Sequence, residues 1–206
     1  MKSRLIRISV VLFFMQFPES PVLSGARKKA LDAFMRHAAN SLKELKKEAK
    51  SGIESELFEL MELNLANTPI YFYPRKVMRA NPFFVTQGEN VSFYRIIQIG
   101  GMRRIERKSY INLPVEHIFK GEKMSLDGIL TLCHEYAHFP KPKLREFALA
   151  HRISLEQAEE LLADVLSAKL AVKMGFPKKQ VIAHFAGREI VYGALPYREF
   201  ILRAIG

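Results

Sequence analysis

Residues 155–174, LEQAEELLADVLSAKLAVKM, constrain this chain more than any other stretch. Ser154 with Gln157 has the form of a capping box, in which hydroxyl and amide satisfy free N–H groups at a helix start. Gly175 followed by Pro177 marks the far end, so a helix over 155–174 is expected. From 161 to 174 it is apolar almost all the way round, broken by Asp164, Ser167, Lys169 and Lys173. A helix without a polar face has to be covered on all sides. Glu160 and Asp164 are four apart and share one face of it. A carboxylate in or beside a buried surface is costly unless it is paired or binds a metal. Either the two form salt bridges to Lys or Arg, or Glu160 ligates a metal while Asp164 accepts the second ring N–H of a ligating histidine.

Suitable histidines lie upstream, in LDGILTLCHEYAHF. Ser125 can cap this stretch, Asp127 sits in its first turn, and Pro140 and Pro142 stop it just past His138. His134-Glu135-Tyr136-Ala137-His138 spells H-E-x-x-H in the last turn of the expected helix. Its two imidazoles, at i and i+4, can reach one metal ion, and Glu135 can reach a water on that metal. An open catalytic zinc site needs a third protein ligand, and Glu160 is the candidate. The alternative for a bare match is a partly buried helix with two hydrogen-bonded histidines.

His134-Glu135-x-x-His138 followed by Glu160-x-x-Ala163-Asp164 resembles the gluzincin metallopeptidases, whose second motif is E-x-x-A-D. The continuation ADVLSAKLAVKMG is similar to the glutamate helix of integral-membrane gluzincins of the CAAX-prenyl-protease and HtpX type, and of their small soluble relatives, the minigluzincins. The likeness covers roughly 125–175. It implies one Zn2+ per chain held by His134, His138 and Glu160, with Glu135 as general base and acid and Asp164 behind a ligand. Glu159 is a rival third ligand, out of register with the motif. The IrrE/ImmA-type regulatory metallopeptidases are more distantly similar, but no helix-turn-helix partner is evident.

The resemblance also implies the fold: α+β, zincin-like, a small antiparallel sheet packed on an active-site helix and a glutamate helix. The residues agree in outline. Residues 70–74 read as a short strand; 91–99 and 102–113, joined by Gly100-Gly101, read as a β-hairpin. In such folds an edge strand beside the cleft holds substrate in extended form by strand addition. Ser109, Tyr110, Ile111, Asn112 and Leu113 are the expected edge strand. The implied reaction is peptide-bond hydrolysis, with Glu135 moving the proton from water to the leaving amine. A further oxyanion donor is expected from the C-terminal segment: Tyr192, His184 or Arg198. His37, His117 and His151 lie in no motif and read as structural.

Before this region, apolar residues from Leu31 to Ala49 recur at three and four, a helical stripe that SGIE at 51–54 breaks into two helices, the second ending near Asn67. We divide the chain into an N-terminal arm and helical region, 1–66, and a gluzincin-like catalytic domain, 67–206. The helical region reads as core packing, with a pro-segment or partner-recognition role as alternatives. Residues 1–25 imitate a signal peptide, with Lys2, Arg4 and Arg7 before a short apolar run, though a buried strand or packed arm is the expected reading. No apolar run is long enough to span a membrane. A cytoplasmic location is expected, with secretion or membrane association through residues 1–25 as the alternative.

At 206 residues the chain can bury a substantial core. Lys and Arg total 32 against 21 acidic residues, a net charge of +11, which admits nucleic acid or an anionic surface as a partner. The basic residues are scattered, without the aromatic spacing of a single-strand binder, so solvated faces are the simpler reading. The expected partner is a peptide or protein substrate in extended form. A regulatory or nucleic-acid-associated protein with a structural or vestigial metal site is the competing class. Cys133, the only cysteine, excludes an intramolecular disulfide and reads as a small core residue.

Overall fold

The computed structural model describes residues 23–73, 89–99, 102–138, 144–186 and 197–206. Two helices lead: α1, Gly25–Glu48, and α2, Gly52–Asn67. Ser24 Oγ accepts from Arg27 N–H, and Ser51 Oγ accepts from Glu54 N–H at 3.2 Å. Ser51 and Glu54 have the spacing of a capping box, but the Glu54 carboxylate accepts from Lys50 N–H, at 2.9 Å, rather than from Ser51 N–H. Next come strands β1, Ile70–Tyr73, β2, Glu89–Ile99, and β3, Met102–Pro114, the short helix α3, Val115–Ile118, and the two-residue strands β4, Phe119–Lys120, and β5, Lys123–Met124. Helices α4, Leu126–Ala137, α5, Leu144–His151, α6, Leu155–Lys173, α7, Lys178–Ala186, and α8, Tyr197–Ile205, complete the order. The architecture is α+β and mostly helical.

The three-stranded sheet runs β1-β3-β2, with β2 antiparallel and β1 parallel to β3. The sheet is therefore mixed rather than antiparallel, and the expected edge strand 109–113 lies in its middle strand. Ile111 faces Ile70 on one side and Asn90 on the other; Asn112 faces Tyr71 and Glu89. Ile111 N–H also donates to Pro69 O at 2.9 Å. Ile111 and Leu113 are wholly buried and Asn112 is 7% exposed, so this part of β3 is covered on both faces. Hydrophobic pattern identified the strand but carried no information about which neighbours flank it. The Gly100-Gly101 turn lies outside the described residues.

Helix α6 explains its own composition. Its capping box forms in full, with Gln157 N–H to Ser154 Oγ and Ser154 N–H to Gln157 Oε1, both at 3.0 Å. Its far end is a Schellman motif: Gly175 N–H reaches Val172 O at 2.9 Å and Phe176 N–H reaches Ala171 O at 3.1 Å. Gly175 adopts φ of 88°, the left-handed conformation in which a side chain is disfavoured. Leu166 and Leu170 enter one core, with Phe34 and Leu42 of α1, Phe58 and Met61 of α2, and Leu132 and Tyr136 of α4. Ala168 and Ala171 enter a second, with Leu130 of α4, Val181 and Phe185 of α7, and Ile201 and Ile205 of α8. The helix is apolar all round because it is the wall between two cores. Helices α1 and α2 share the first core with α4 and α6.

Helix α4 is held on several sides. Ser125 Oγ accepts from Gly128 N–H at 3.0 Å, Ser167 Oγ of α6 donates to Leu130 O at 3.0 Å, and His117 Nε2 meets Thr131 Oγ1 at 2.8 Å. A Cβ on Gly128 would stand 2.6 Å from both Cα and O of Ile118, so only glycine permits this approach of α3. Among the described residues no helix is long and apolar enough to cross a membrane.

Candidate metal centre

The last turn of α4 and the first half of α6 bring their polar residues to one point. His134 Nε2 lies 2.8 Å from His138 Nε2. The Glu160 carboxylate lies 3.3 Å from the first nitrogen and 3.5 Å from the second. Among the described residues, His134, His138 and Glu160 form the one cluster whose ligand atoms lie within 4.8 Å of one another, and it could hold a metal ion.

The other ring nitrogens are engaged by carboxylates. His134 Nδ1 meets Asp164 Oδ1 at 2.6 Å, with Asp164 completely buried. His138 Nδ1 meets Glu159 Oε1 at 3.4 Å, a carboxylate 39% exposed. If each Nδ1–H is donated outward, both Nε2 atoms direct lone pairs at the same point as Glu160. Nitrogen and oxygen donors in that arrangement suit a borderline divalent ion such as zinc. Burial opposes protonation of His134, but the hydrogen bond and charge of Asp164, with Glu160 and Glu135 nearby, raise its pKa to about 9. The surroundings of His134 thus favour positive charge there. Glu135, beside His134, is buried at 6% exposure.

The position of His138 differs from expectation. Helix α4 ends at Ala137, and His138 is its cap, with φ of −75° and ψ of 104°. Its N–H reaches Glu135 O at 3.2 Å, a tightened last turn. The carbonyls left at that end are met by a residue sequence reasoning did not single out. Asn64 of α2 donates from Nδ2 to Tyr136 O at 2.7 Å and to His138 O at 3.3 Å, and its own Oδ1 accepts from the Thr68 hydroxyl. A polar residue near the end of an amphipathic helix reads as surface, and no local pattern betrays a partner 72 residues away. Pro140 and Pro142 lie outside the described residues.

The expected oxyanion donors fare differently. His184 pairs with Asp127 at 3.1 Å, in the first turn of α4. Asp127 precedes His134 by seven residues, about 10 Å along a helix axis, so His184 belongs to the opposite end of α4 and is not beside the cluster. Its neighbour Phe185, anchored in the second core, fixes it there. Tyr192 lies outside the described residues, and Arg198 falls in α8. His37 Nε2 donates to Met174 O at 3.0 Å, and His151 packs against Phe147 and Phe200, in keeping with structural roles. Cys133 is buried among apolar side chains, which pushes its thiol up to about 12.

Compared with protein-family models, curated proteins and solved structures, the chain matches none. What can be said of the centre rests on its own residues.

Proposed function

We propose that this protein is a zinc-dependent peptide hydrolase with a gluzincin-type centre on a zincin-like fold, His134, His138 and Glu160 holding one Zn2+. The observation that carries the proposal is the convergence of two Nε2 atoms and one carboxylate, with a separate carboxylate behind each imidazole. Such groups repel one another unless a proton or a cation lies among them. Three protein donors among the described residues, rather than four, are the pattern of a centre that keeps a position for substrate.

Zinc held by these three residues would supply a Lewis acid, able to bring the pKa of a water towards about 7. The chain's own residues do the rest. Asp164 holds His134 in the tautomer that presents Nε2, and Glu159 does the same for His138. Glu135, adjoining a ligand and largely shielded from solvent, accepts the proton of the attacking water and delivers it to the leaving amine. A purely structural site has no use for Glu135, and this favours hydrolysis over the structural alternative. The substrate is a peptide or protein in extended form; β3, paired on both sides at Ile111 and Asn112, is not the strand that receives it.

Elemental mass spectrometry of the purified protein tests this. About one zinc per chain is expected, largely lost in Glu160→Ala. Glu135→Gln should keep the zinc and lose peptide cleavage by a factor of at least ~100. A wild-type chain that takes up no zinc after reconstitution refutes the proposal.

A further inference from the structure

A metal-binding histidine at the end of a helix faces a difficulty that one in mid-helix does not. Within a helix, backbone hydrogen bonds fix the Cα–Cβ direction of both members of an i,i+4 pair. His134 has that support; His138, as the cap, has left the helix, with ψ of 104°. At Nδ1 its ring meets the partly exposed Glu159 at 3.4 Å, a longer contact than the 2.6 Å from His134 Nδ1 to the buried Asp164. A helix end commonly closes with glycine in the left-handed conformation, which turns later N–H groups back onto the last carbonyls, as Gly175 does for α6. At His138 the backbone is extended instead, with ψ of 104°. Among the described residues, donors for the carbonyls at 136 and 138 come from another helix.

Asn64 supplies them. One amide nitrogen spans Tyr136 O and His138 O, gripping the chain on both sides of the point where it leaves the helix. The Thr68 hydroxyl, donating to Asn64 Oδ1, sets which way the amide faces and turns the nitrogen toward α4. Thr68 is itself buried, at 7% exposure, and its N–H is anchored to Asn64 O at 2.9 Å. Residues 64 and 68 thus form a rigid unit at the end of α2, aimed at the main chain of the second histidine.

We propose that Asn64, oriented by Thr68, is a positioning residue for the metal centre: it fixes the backbone at His138 and thereby the aim of that histidine's Nε2. The inference rests on the metal-binding reading above but adds a residue from a different helix, with no donor atom of its own in the cluster. It makes α2 part of the centre's support rather than only a cover for the core.

The test uses the full chain loaded with Co2+, whose visible d–d spectrum reports ligand geometry. Metal affinity is measured by competition with a chromophoric chelator, beside thermal stability. Asn64→Asp keeps the side-chain volume and removes the donor; Thr68→Val removes the hydroxyl that orients it. Leu57→Val, a core change in the same helix, is the control for lost stability alone. The proposal expects Asn64→Asp to weaken Co2+ binding about tenfold, the lower end of the range for residues that support ligands, and to shift the d–d bands. Thr68→Val should do the same to a smaller extent, while Leu57→Val lowers the melting temperature and leaves affinity and spectrum unchanged. Wild-type affinity and spectrum in Asn64→Asp, or in Thr68→Val should the first variant not fold, overturn the proposal. Equal changes in Leu57→Val also overturn it, since the effect would then be general loosening. A wild-type chain that binds neither Co2+ nor Zn2+ removes the metal reading itself, and the positioning role with it.

Discussion

Gly128→Ala sets two elementary effects against each other. Gly128 lies near the start of α4, where replacing glycine by alanine is worth about 1 kcal/mol of helix propensity in the stabilising direction. Propensity alone predicts a more stable protein. The structure predicts the reverse, because the added Cβ would meet Ile118 Cα and O at 2.6 Å and its carbonyl carbon at 3.0 Å. Ordinary carbon contacts begin at about 3.5 Å, so α3 and α4 must separate by nearly 1 Å. The atoms in the way are main chain and cannot swing aside. Overpacking of this kind costs about 1–3 kcal/mol, and backbone against backbone belongs at the upper end. Subtracting the propensity gain leaves a net loss of about 2 kcal/mol. For a chain of this size that corresponds to a fall in Tm of roughly 4–8 °C, readable by differential scanning calorimetry or circular dichroism. Gly128→Ala melting at or above the wild-type temperature would show that α3 is not seated against α4 as described.

Asp164→Ala leaves the buried Nδ1 of His134 without its carboxylate, and chelator competition should show zinc affinity lower by about 10–100-fold; unchanged affinity would remove Asp164 from the centre. Glu54 links the start of α2 to Lys169 of α6. Burial raises the pKa of its carboxyl, but the Lys169 bond and the Lys50 N–H outweigh that and hold it below the usual carboxylate range. A pKa lowered on folding means stability that is present above the ordinary carboxylate range and lost as pH falls through the lowered folded value. Glu54→Gln should therefore narrow the gap in melting temperature between neutral and acid pH, and an unaltered gap would count against the bridge. Cys133, wholly buried with its thiol pushed up to about 12, should react with a thiol reagent only when the protein opens; rapid labelling of folded protein by Ellman's reagent would contradict its placement.

The parts of this molecule legible in the sequence are those whose causes are local. Ser154 with Gln157, Ser125 ahead of Gly128, and Gly175 after Lys173 mark helix ends because capping uses residues a few positions apart. The all-round apolar character of 161–174 signalled burial on every side before either core was visible. His134, His138 and Glu160 group together because i,i+4 spacing and a carboxylate beside an apolar helix surface carry meaning in the sequence itself. What depended on distant partners was lost. The strand containing Tyr110 and Ile111 was evident, yet its neighbours Ile70 and Asn90 on either side were not. His184 was placed near the centre by order along the chain, whereas packing of Phe185 sends it to Asp127. Asn64 could not be found at all, since its work is done on carbonyls that every residue possesses.

The wall that α6 forms between two cores bears on how the molecule comes into being. As the chain leaves the ribosome, the helices over 25–67, the sheet and α4 can assemble against one flank of α6 as soon as it emerges. Its other flank, at Ala168 and Ala171, meets Leu130 of α4 but stays partly bare until Val181, Phe185, Ile201 and Ile205 have followed. The nascent protein thus carries a half-covered helix until those residues emerge, a stretch for which chaperones have an obvious appetite. Loss of α8 would leave that surface exposed for good, and aggregation during expression would be its sign.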